Sequence, residues 1–322
     1  MRRREFITLV GGAAAAWLPV VRVRAASPRI GYLAFRSPLS ADDVFLQRLR
    51  ELGWSEGRNV TIERRFAVGD LGRLKEFASE LVRSEVNVIL AAASAATKAA
   101  KDASTSIPII FANAGDPVGE GFVQSLAHPA GNITGVAFDA SPDITAKQAQ
   151  LLIEVVPKMS RMAVLWNPTS TFLHSYWDVL KSSESALGVK LQSLEVRDPK
   201  EFEAAFEAMA REHTDGVIVL SDTFTTFHRA RLAELAAKYR LPAIYEHDQY
   251  IEAGGLMSYG PSLPEGYRLA AEFVDKVLKG AKPADLPVEL PTKFELIINL
   301  ETAKRLNLNI PPAVLSRADK VV

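Results

Sequence analysis

Six polar side chains stand where apolar, strand-like segments of this 322-residue chain end, and their types suit hydrogen bonding to a small solute. In parallel sheets, ligands bind in the loops at the carboxyl ends of the strands. No pair of carboxylates has a spacing that assigns acid and base roles, so the pattern predicts binding rather than catalysis. The six candidates are Ser94, Thr97, Asp116, Asn167, Asp222 and Glu246.

Most of these candidates also have a purely structural interpretation, which the sequence leaves open. Ser94 begins an alanine-rich helix and would cap its amides, with or without a bound anion. Asp116 lies in a Gly-Asp-Pro turn, and Asn167 precedes a proline that would end its strand. Asp222 and Glu246 follow strands at expected helix starts, where the helix dipole favours a carboxylate even without a ligand.

The residue types that carry other chemistries are absent or scattered. The chain has no cysteine, which excludes disulfides, Cys-based zinc sites and a lipid anchor on cysteine. Its five histidines lack a metal-binding spacing, and neither a phosphate-binding Gly-Lys-Ser/Thr loop nor a Gly-x-Ser-x-Gly motif is present. We therefore expect no metal, no cofactor and no enzymatic activity.

Residues 1–26 are expected to be a signal peptide rather than part of the fold. The order Arg3-Arg4-Glu5-Phe6-Ile7 matches the twin-arginine export pattern, and an apolar run continues to Val21. Small side chains before position 26 predict cleavage near Ala25 and release into the periplasm. Without residues 1–25 the chain holds 33 basic and 37 acidic side chains and no basic cluster, so nucleic acid is not an expected partner.

The remaining sequence alternates apolar segments with amphipathic ones, as in α/β proteins whose parallel sheets are covered by helices. The pattern restarts after residues 139–143, which predicts two doubly wound lobes in tandem. The segments after residue 255 are too few for a third domain, and we expect them to complete the two sheets. Ligand loops are expected after the strands, at residues 36–40, 93–97, 112–118, 167–171, 221–225 and 246–250.

Six segments, in order along the chain, together match a family pattern. They are SAATKAA at 94–100, GDPVG at 115–119, GNITG at 131–135, AVLWNP at 163–168, GGLMSYG at 254–260 and PTKFEL at 291–296. They resemble the ABC-transporter substrate-binding family that includes the tryptophan-binding TrpX proteins. That family has the type I periplasmic-binding fold, and the resemblance covers nearly the whole chain after the signal peptide.

The resemblance implies two lobes joined by three crossovers and a hinge, which close over a small-molecule solute and then engage an ABC permease in the inner membrane. The first lobe is expected at residues 27–138 plus about 259–290, and the second at 139–258 plus about 291–322. It also implies the roles of individual residues. Ser94 and Thr97 would hold the carboxylate of an amino acid or related acid, and Glu246, or alternatively Asp222, would meet an ammonium group.

Two other functions remain open on the same scaffold. The protein could be the ligand-binding component of a membrane signalling system, since lobe closure can be read by a receptor as well as by a permease. A periplasmic enzyme is the other alternative, because a fold does not fix a function. In each case we expect the protein to be a monomer.

Overall fold

The computed structural model describes residues 27–138 and 141–322, so the predicted signal peptide lies outside the described residues. These residues form two α/β lobes, each built on a largely parallel sheet, which confirms the predicted fold class. Parallel neighbours cannot be joined by a tight turn, so helices cross back along the faces of the sheets between strands. In this part of the chain no helix is both long and apolar enough to span a membrane.

The first lobe begins with eight elements, in which strands and helices alternate until the last two, which are both strands. They are β1 (Arg29–Ala34), α1 (Ser40–Glu51), β2 (Thr61–Phe66), α2 (Leu71–Arg83), β3 (Val88–Ala92), α3 (Ala93–Ala103), β4 (Ile109–Ala114) and β5 (Ile133–Ala137). The five strands are all parallel and lie in the order β2-β1-β3-β4-β5. The chain reverses direction across the sheet at β1 and β3, as in other doubly wound sheets.

The rest of the chain supplies a second sheet of seven strands and most of its covering helices. Its elements are α4 (Ile144–Val155), β6 (Arg161–Trp166), α5 (Leu173–Ser182), α6 (Glu184–Leu187), β7 (Lys190–Glu195), α7 (Glu201–Arg211), β8 (Gly216–Val219), α8 (Thr223–Phe227), α9 (Arg229–Lys238), β9 (Ala243–Tyr245), α10 (Asp248–Glu252), β10 (Met257–Pro261), α11 (Leu263–Leu278), a 3-10 turn (Pro283–Asp285), β11 (Phe294–Ile298), α12 (Leu300–Arg305), α13 (Pro312–Leu315) and β12 (Lys320–Val321). The strand order is β12-β11-β10-β9-β8-β6-β7.

The C-terminal segments differ from the expectation that they complete both sheets. All three late strands join the second sheet, where β11 runs antiparallel to β10. The first sheet gains a helix instead, because α11 buries Tyr267, Phe273 and Val274 in the core beneath β1, β3 and β4. The chain therefore returns to the first lobe for α11 and then crosses back, while the lobe bounds given above stay a prediction.

Apolar side chains cover both faces of each sheet. In the first lobe α1 and α11 pack on one face, and α2 and α3 pack on the other. In the second lobe α4, α5, α12 and α13 cover one face, and α7, α9 and α10 cover the opposite one. Strands β3 and β4 are buried along their whole length, as their largely apolar sequences predict, and Asn113 is the polar exception in β4. Because these buried strands are fixed by packing on both faces, the polar residues that follow them are held in defined positions.

Candidate functional site

A cavity of about 660 Å³ lies between the two lobes, at the carboxyl ends of strands from both sheets. Binding sites for small molecules commonly enclose about 300–1,000 Å³, so the volume suits a solute of that class. All six loops predicted from the strand ends contribute residues to its lining. The position of the cavity follows from parallel topology, because loops after parallel strands gather at one edge of each sheet.

The lobes touch each other around this cavity. Phe227, at the end of α8, packs its ring 5.3 Å from the ring of Phe35 in the first lobe. It also lies over Gly69, where a Cβ atom would stand 2.4 Å from the Phe227 ring. On another side, Phe172 of the second lobe lies 3.0 Å from the Cβ position of Gly115. The two lobes are therefore in contact on two sides of the cavity that lies between them.

Ser94 lines the cavity in the first turn of α3. Its hydroxyl oxygen accepts a hydrogen bond of 3.0 Å from the Gly115 amide, which ties the start of α3 to the end of β4. The N-cap position is Ala92 and has no side-chain cap, so the interpretation of Ser94 as the helix cap is wrong. The start of this 11-residue helix faces the cavity, where the helix dipole favours an anion.

Thr97 and Asp116 are engaged within the protein and are not among the residues that line the cavity. The buried Thr97 hydroxyl donates to the Ala93 carbonyl, 2.9 Å away, inside α3. The Asp116 carboxylate accepts the Gly119 amide at 2.8 Å and the Val118 amide at 3.2 Å, so it shapes a turn. The structure gives each residue a structural role, and their direct contact with a ligand stays a prediction.

Asn167 and Asp222 line the cavity together in the second lobe. The Asn167 amide donates to one Asp222 oxygen at 2.7 Å, and the other oxygen accepts the Thr225 amide at 2.8 Å. Asp222 is thus the N-cap of α8, as its structural interpretation predicted. Burial raises the pKa of Asp222, although hydrogen bonds from Thr225 and Asn167 act in the opposite direction.

Glu246 and His247 follow β9 and form another part of the cavity wall. Glu246 is buried and is engaged by other groups of the protein. The N-cap of α10 is His247, so Glu246 is not itself the cap. The His247 ring packs 4.4 Å from the Phe138 ring, and burial lowers its pKa to about 3, with a smaller contribution from Arg229. The imidazole is therefore neutral at physiological pH.

Two buried polar atoms in the cavity wall of the second lobe, His247 Nδ1 and Gln249 Oε1, have no hydrogen-bond partner within the described residues. Two other buried hydroxyls of this wall, those of Ser221 and Thr226, interact with the Tyr250 hydroxyl. Burying a polar atom without a partner costs about 1–3 kcal/mol, so His247 Nδ1 and Gln249 Oε1 favour a solute that supplies hydrogen bonds. Sequence reasoning missed both as site residues, although they lie in a loop that it predicted.

Aromatic rings form much of the remaining wall. Of five aromatic side chains at or near the strand ends, Phe35 and Phe224 line the cavity. The other three, Tyr32, Trp166 and Tyr245, are buried in the lobe cores. Four further rings of the lining were missed, since chain order carries no signal that they converge; these are Phe138, Phe172, Phe227 and Tyr267.

Three charged residues of the lining were also missed: Arg36, Glu120 and Arg229, whose guanidinium donates to the Thr226 carbonyl at 3.2 Å. Arg36 is held by the Asp42 carboxylate and donates to the Tyr267 hydroxyl at 2.6 Å, so its charge is largely neutralised inside the first lobe. Glu120 stands near the Ser94 hydroxyl, and burial raises its pKa to about 7 despite that interaction. Among the described residues, no cluster of three or more His, Cys, Asp or Glu side chains is arranged to hold a metal ion.

Two α/β lobes that meet around a solute-sized cavity define the class of two-lobed solute-binding proteins. The family model described as ABC transporter substrate binding protein matches residues 37–322, and this chain belongs to that family. Membership confirms the resemblance seen in the sequence.

Individual relatives agree with this membership. A curated tyrosine-binding protein of Clostridioides difficile is 26% identical over 265 residues, which cover 82% of this chain and 75% of the relative. The crystal structure of a conserved domain protein from Vibrio cholerae superposes with a TM-score of 0.84 at 25% identity, over 92% of this chain and 100% of that one. An ABC domain from Streptococcus pneumoniae in complex with L-Trp gives 0.83 at 23% identity, with the same coverage.

Proposed function

We propose that this protein is the solute-binding component of an ABC importer and that it captures an amino acid with an aromatic side chain. The observation that carries this proposal is the cavity between the two lobes, which combines aromatic walls with polar groups at helix starts. The start of α3 with Ser94 suits a carboxylate, because backbone amides and the helix dipole favour an anion there. Carboxylates of both lobes line the cavity, Glu120 in the first and Asp222 and Glu246 in the second, and they suit an ammonium group.

The wall between these polar groups suits an aromatic side chain. Phe35, Phe172, Phe224 and Phe227 supply ring faces and edges from both lobes. Aromatic pairs contribute about 0.5–1.5 kcal/mol beyond the area that they bury, so such a wall favours a ring over an aliphatic chain of similar size. The Clostridioides difficile relative carries the name tyrosine-binding protein, and this supports the same class of solute.

A thermal-shift screen of the chain from residue 26 onward tests the proposal. We expect L-tyrosine, L-tryptophan or L-phenylalanine to stabilise the protein, by about 2.7 kcal/mol at 100 times the dissociation constant. Pentoses and hexoses are the matched negative set, because proteins of the same fold have been solved with sugars bound. Stabilisation by a sugar and by no amino acid would contradict the proposal. Mass spectrometry of the released solute should recover it unchanged, as binding without catalysis requires.

Import requires delivery to a permease, which makes a periplasmic location part of the proposal. Deleting the gene should abolish uptake of the labelled amino acid at low concentration, while chemotaxis or kinase signalling toward it persists. If uptake is normal and signalling is lost, the protein serves a membrane receptor instead.

Export by the twin-arginine route is proposed from residues 2–7 alone. Substituting Arg3→Lys and Arg4→Lys together should leave precursor in the cytoplasm, because that route reads the arginine pair. A normal periplasmic yield of this variant would point to the general secretory route.

A further inference from the structure

Glu120 is a carboxylate of the cavity wall that the sequence motifs did not single out. Its backbone amide donates to the Asp116 carbonyl at 2.9 Å, in the turn that the Asp116 carboxylate also fixes through the Gly119 amide. The side chain is thereby held toward the cavity, beside the Ser94 hydroxyl. Glu120 is therefore a positioned group rather than a mobile surface carboxylate.

The second lobe places Asp222 opposite Glu120. Both side chains line the same cavity, and the charge of Asp222 reaches Glu120 across the cleft. The other charged groups close to this turn are Asp116, within it, and Lys101, whose ammonium donates to the Gly121 carbonyl. The same cavity is also lined by Arg36, Arg229 and Glu246. In the described part of the chain neither Glu120 nor Asp222 forms an ion pair, and the Asp222 oxygens accept only neutral donors.

Two partly buried carboxylates that line one cavity from different lobes oppose closure as long as both are charged, because like charges repel strongly in a partly desolvated site. A cation placed between them removes this repulsion and gains two attractive contacts. We propose that Glu120 binds the cationic group of the solute and that Glu120 and Asp222 hold this group from the two lobes. This inference rests on the proposed function, since the cationic group is then the ammonium of the amino acid.

The position of Glu120 beside Ser94 fits an α-amino acid. The carboxylate and the ammonium of such a solute are attached to the same carbon, so the groups that bind them must be neighbours. The backbone amides at the start of α3, next to Ser94, would take the carboxylate, and Glu120, which accepts the Ser94 hydroxyl, would take the ammonium from the same lobe. The resemblance placed the ammonium partner in the second lobe alone. Here the ammonium group is instead bound by both lobes, through Glu120 of the first and Asp222 of the second.

Titration calorimetry on Glu120→Gln tests the inference with two solutes. One is the amino acid that the wild type binds, L-tyrosine or L-tryptophan, and the other is its analogue without the amine, 3-(4-hydroxyphenyl)propionate or indole-3-propionate. Glu120→Gln keeps the shape of the side chain and should weaken amino-acid binding at least about tenfold at pH 8, with the analogue unaffected or bound more tightly. The matched control is Asp102→Asn, which removes an exposed charge from α3 and should change neither affinity.

A second measurement uses only the wild type, so it does not depend on whether the variant folds. Burial and the nearby carboxylates raise the pKa of Glu120 to about 7, so near neutral pH it is partly protonated. An arriving ammonium group favours the charged carboxylate and expels the proton. Calorimetry at pH 7 in phosphate and in Tris should therefore show release of about half a proton per solute, and affinity should rise between about pH 6 and pH 8.

The other outcomes separate the two proposals. If the wild type binds an amino acid and Glu120→Gln binds it equally well, or if affinity falls as the pH rises, Glu120 does not meet the ammonium and this inference is wrong while the proposed function stands. If the wild type binds the amine-free analogue as tightly as the amino acid, the inference is also wrong. If the wild type binds no amino acid, the proposed function fails and this inference fails with it.

Discussion

The side-chain amide of Asn167 donates a hydrogen bond of 2.7 Å to the Asp222 carboxylate, and this bond joins the ends of β6 and β8 at the cavity wall. The two strands are neighbours in the second sheet, so side chains that follow them are brought within reach. The same carboxylate accepts the Thr225 amide and caps α8. One side chain therefore fixes a helix, orients an amide and supplies negative charge to the site.

Removing the Asp222 carboxylate should destabilise the fold. In Asp222→Ala, α8 loses its cap and the Asn167 amide loses its acceptor, so we expect the free energy of unfolding to fall by about 2–3 kcal/mol. Asp70→Ala is the matched control, because Asp70 is exposed and caps α2 by accepting only the Arg73 amide. Losing this cap should lower the free energy of unfolding by about 1 kcal/mol. Urea unfolding measures both, and equal losses would show that the bond to Asn167 contributes nothing.

The two carboxylates of the second lobe should differ in their effect on amino-acid binding. Both are engaged within the protein, but Asp222 is the second-lobe carboxylate whose charge raises the pKa of Glu120 across the cleft. We therefore expect Asp222→Asn to weaken binding by about 2 kcal/mol or more and Glu246→Gln by less than about 1 kcal/mol, in calorimetric titrations. Glu252→Gln, an exposed change on the same helix as Asp248, should have no effect. A larger loss in Glu246→Gln would assign the ammonium to Glu246, as the resemblance implies.

The sequence predicted where the site lies because strand ends can be read from apolar runs. Val88–Ala92 and Ala243–Tyr245 are apolar segments buried in their sheets, and the polar residues after them must then emerge at one edge. This reasoning located the loops that carry Ser94, Asp222 and Glu246, all of which line the cavity.

Residues that reach the cavity wall only through the folding of a turn or the contact between the lobes could not be predicted in this way. Glu120 follows β4 by six residues, and only the fold of its turn brings it back beside Ser94. Phe227 lies far along the chain from Gly69, and its place in the wall exists only when the lobes close. Strand β5 was also missed, because Gly135 interrupts its apolar pattern. The structure explains that glycine, since a Cβ there would stand 2.1 Å from the Phe111 carbonyl oxygen.

His247 should make the protein less stable in acid. Its pKa is lowered to about 3 in the folded state, whereas in the unfolded chain its pKa is about 6.5. Between these values only the unfolded state binds the proton, so the contribution of His247 to the free energy of unfolding falls by about 1.4 kcal/mol for each unit that the pH decreases below 6.5.

His247→Gln removes this titration, and we expect its stability to fall less steeply than that of the wild type between about pH 6 and pH 4.5. Urea unfolding at several pH values measures the slope. His128→Gln is the control, because His128 is exposed and its replacement should leave the slope unchanged. If His247→Gln and the wild type show equal slopes, the folded protein accepts a proton at His247 in this range.

Gly266 in α11 and Asn113 at the end of β4 form a close contact behind the cavity wall. A Cβ atom at position 266 would lie 1.9 Å from Asn113 Oδ1, so any larger residue must displace the Asn113 side chain. Asn113 lines the cavity with a φ of 59°, a backbone conformation that asparagine tolerates and glycine adopts freely. The pair therefore couples the packing of α11 to the shape of the site.

We expect Gly266→Ala to lower the free energy of unfolding by about 1–3 kcal/mol, as overpacking does, and to weaken solute binding by moving Asn113. In an Asn113→Gly background the obstructing side chain is gone and the backbone can keep its conformation. There the same change should cost nothing or should stabilise the protein by up to about 1 kcal/mol, because alanine favours a helix over glycine. Urea unfolding of the four proteins in this cycle measures the coupling. A cost of Gly266→Ala that is the same in both backgrounds would show that the two residues act independently, and the clash would then lie elsewhere in the packing of α11.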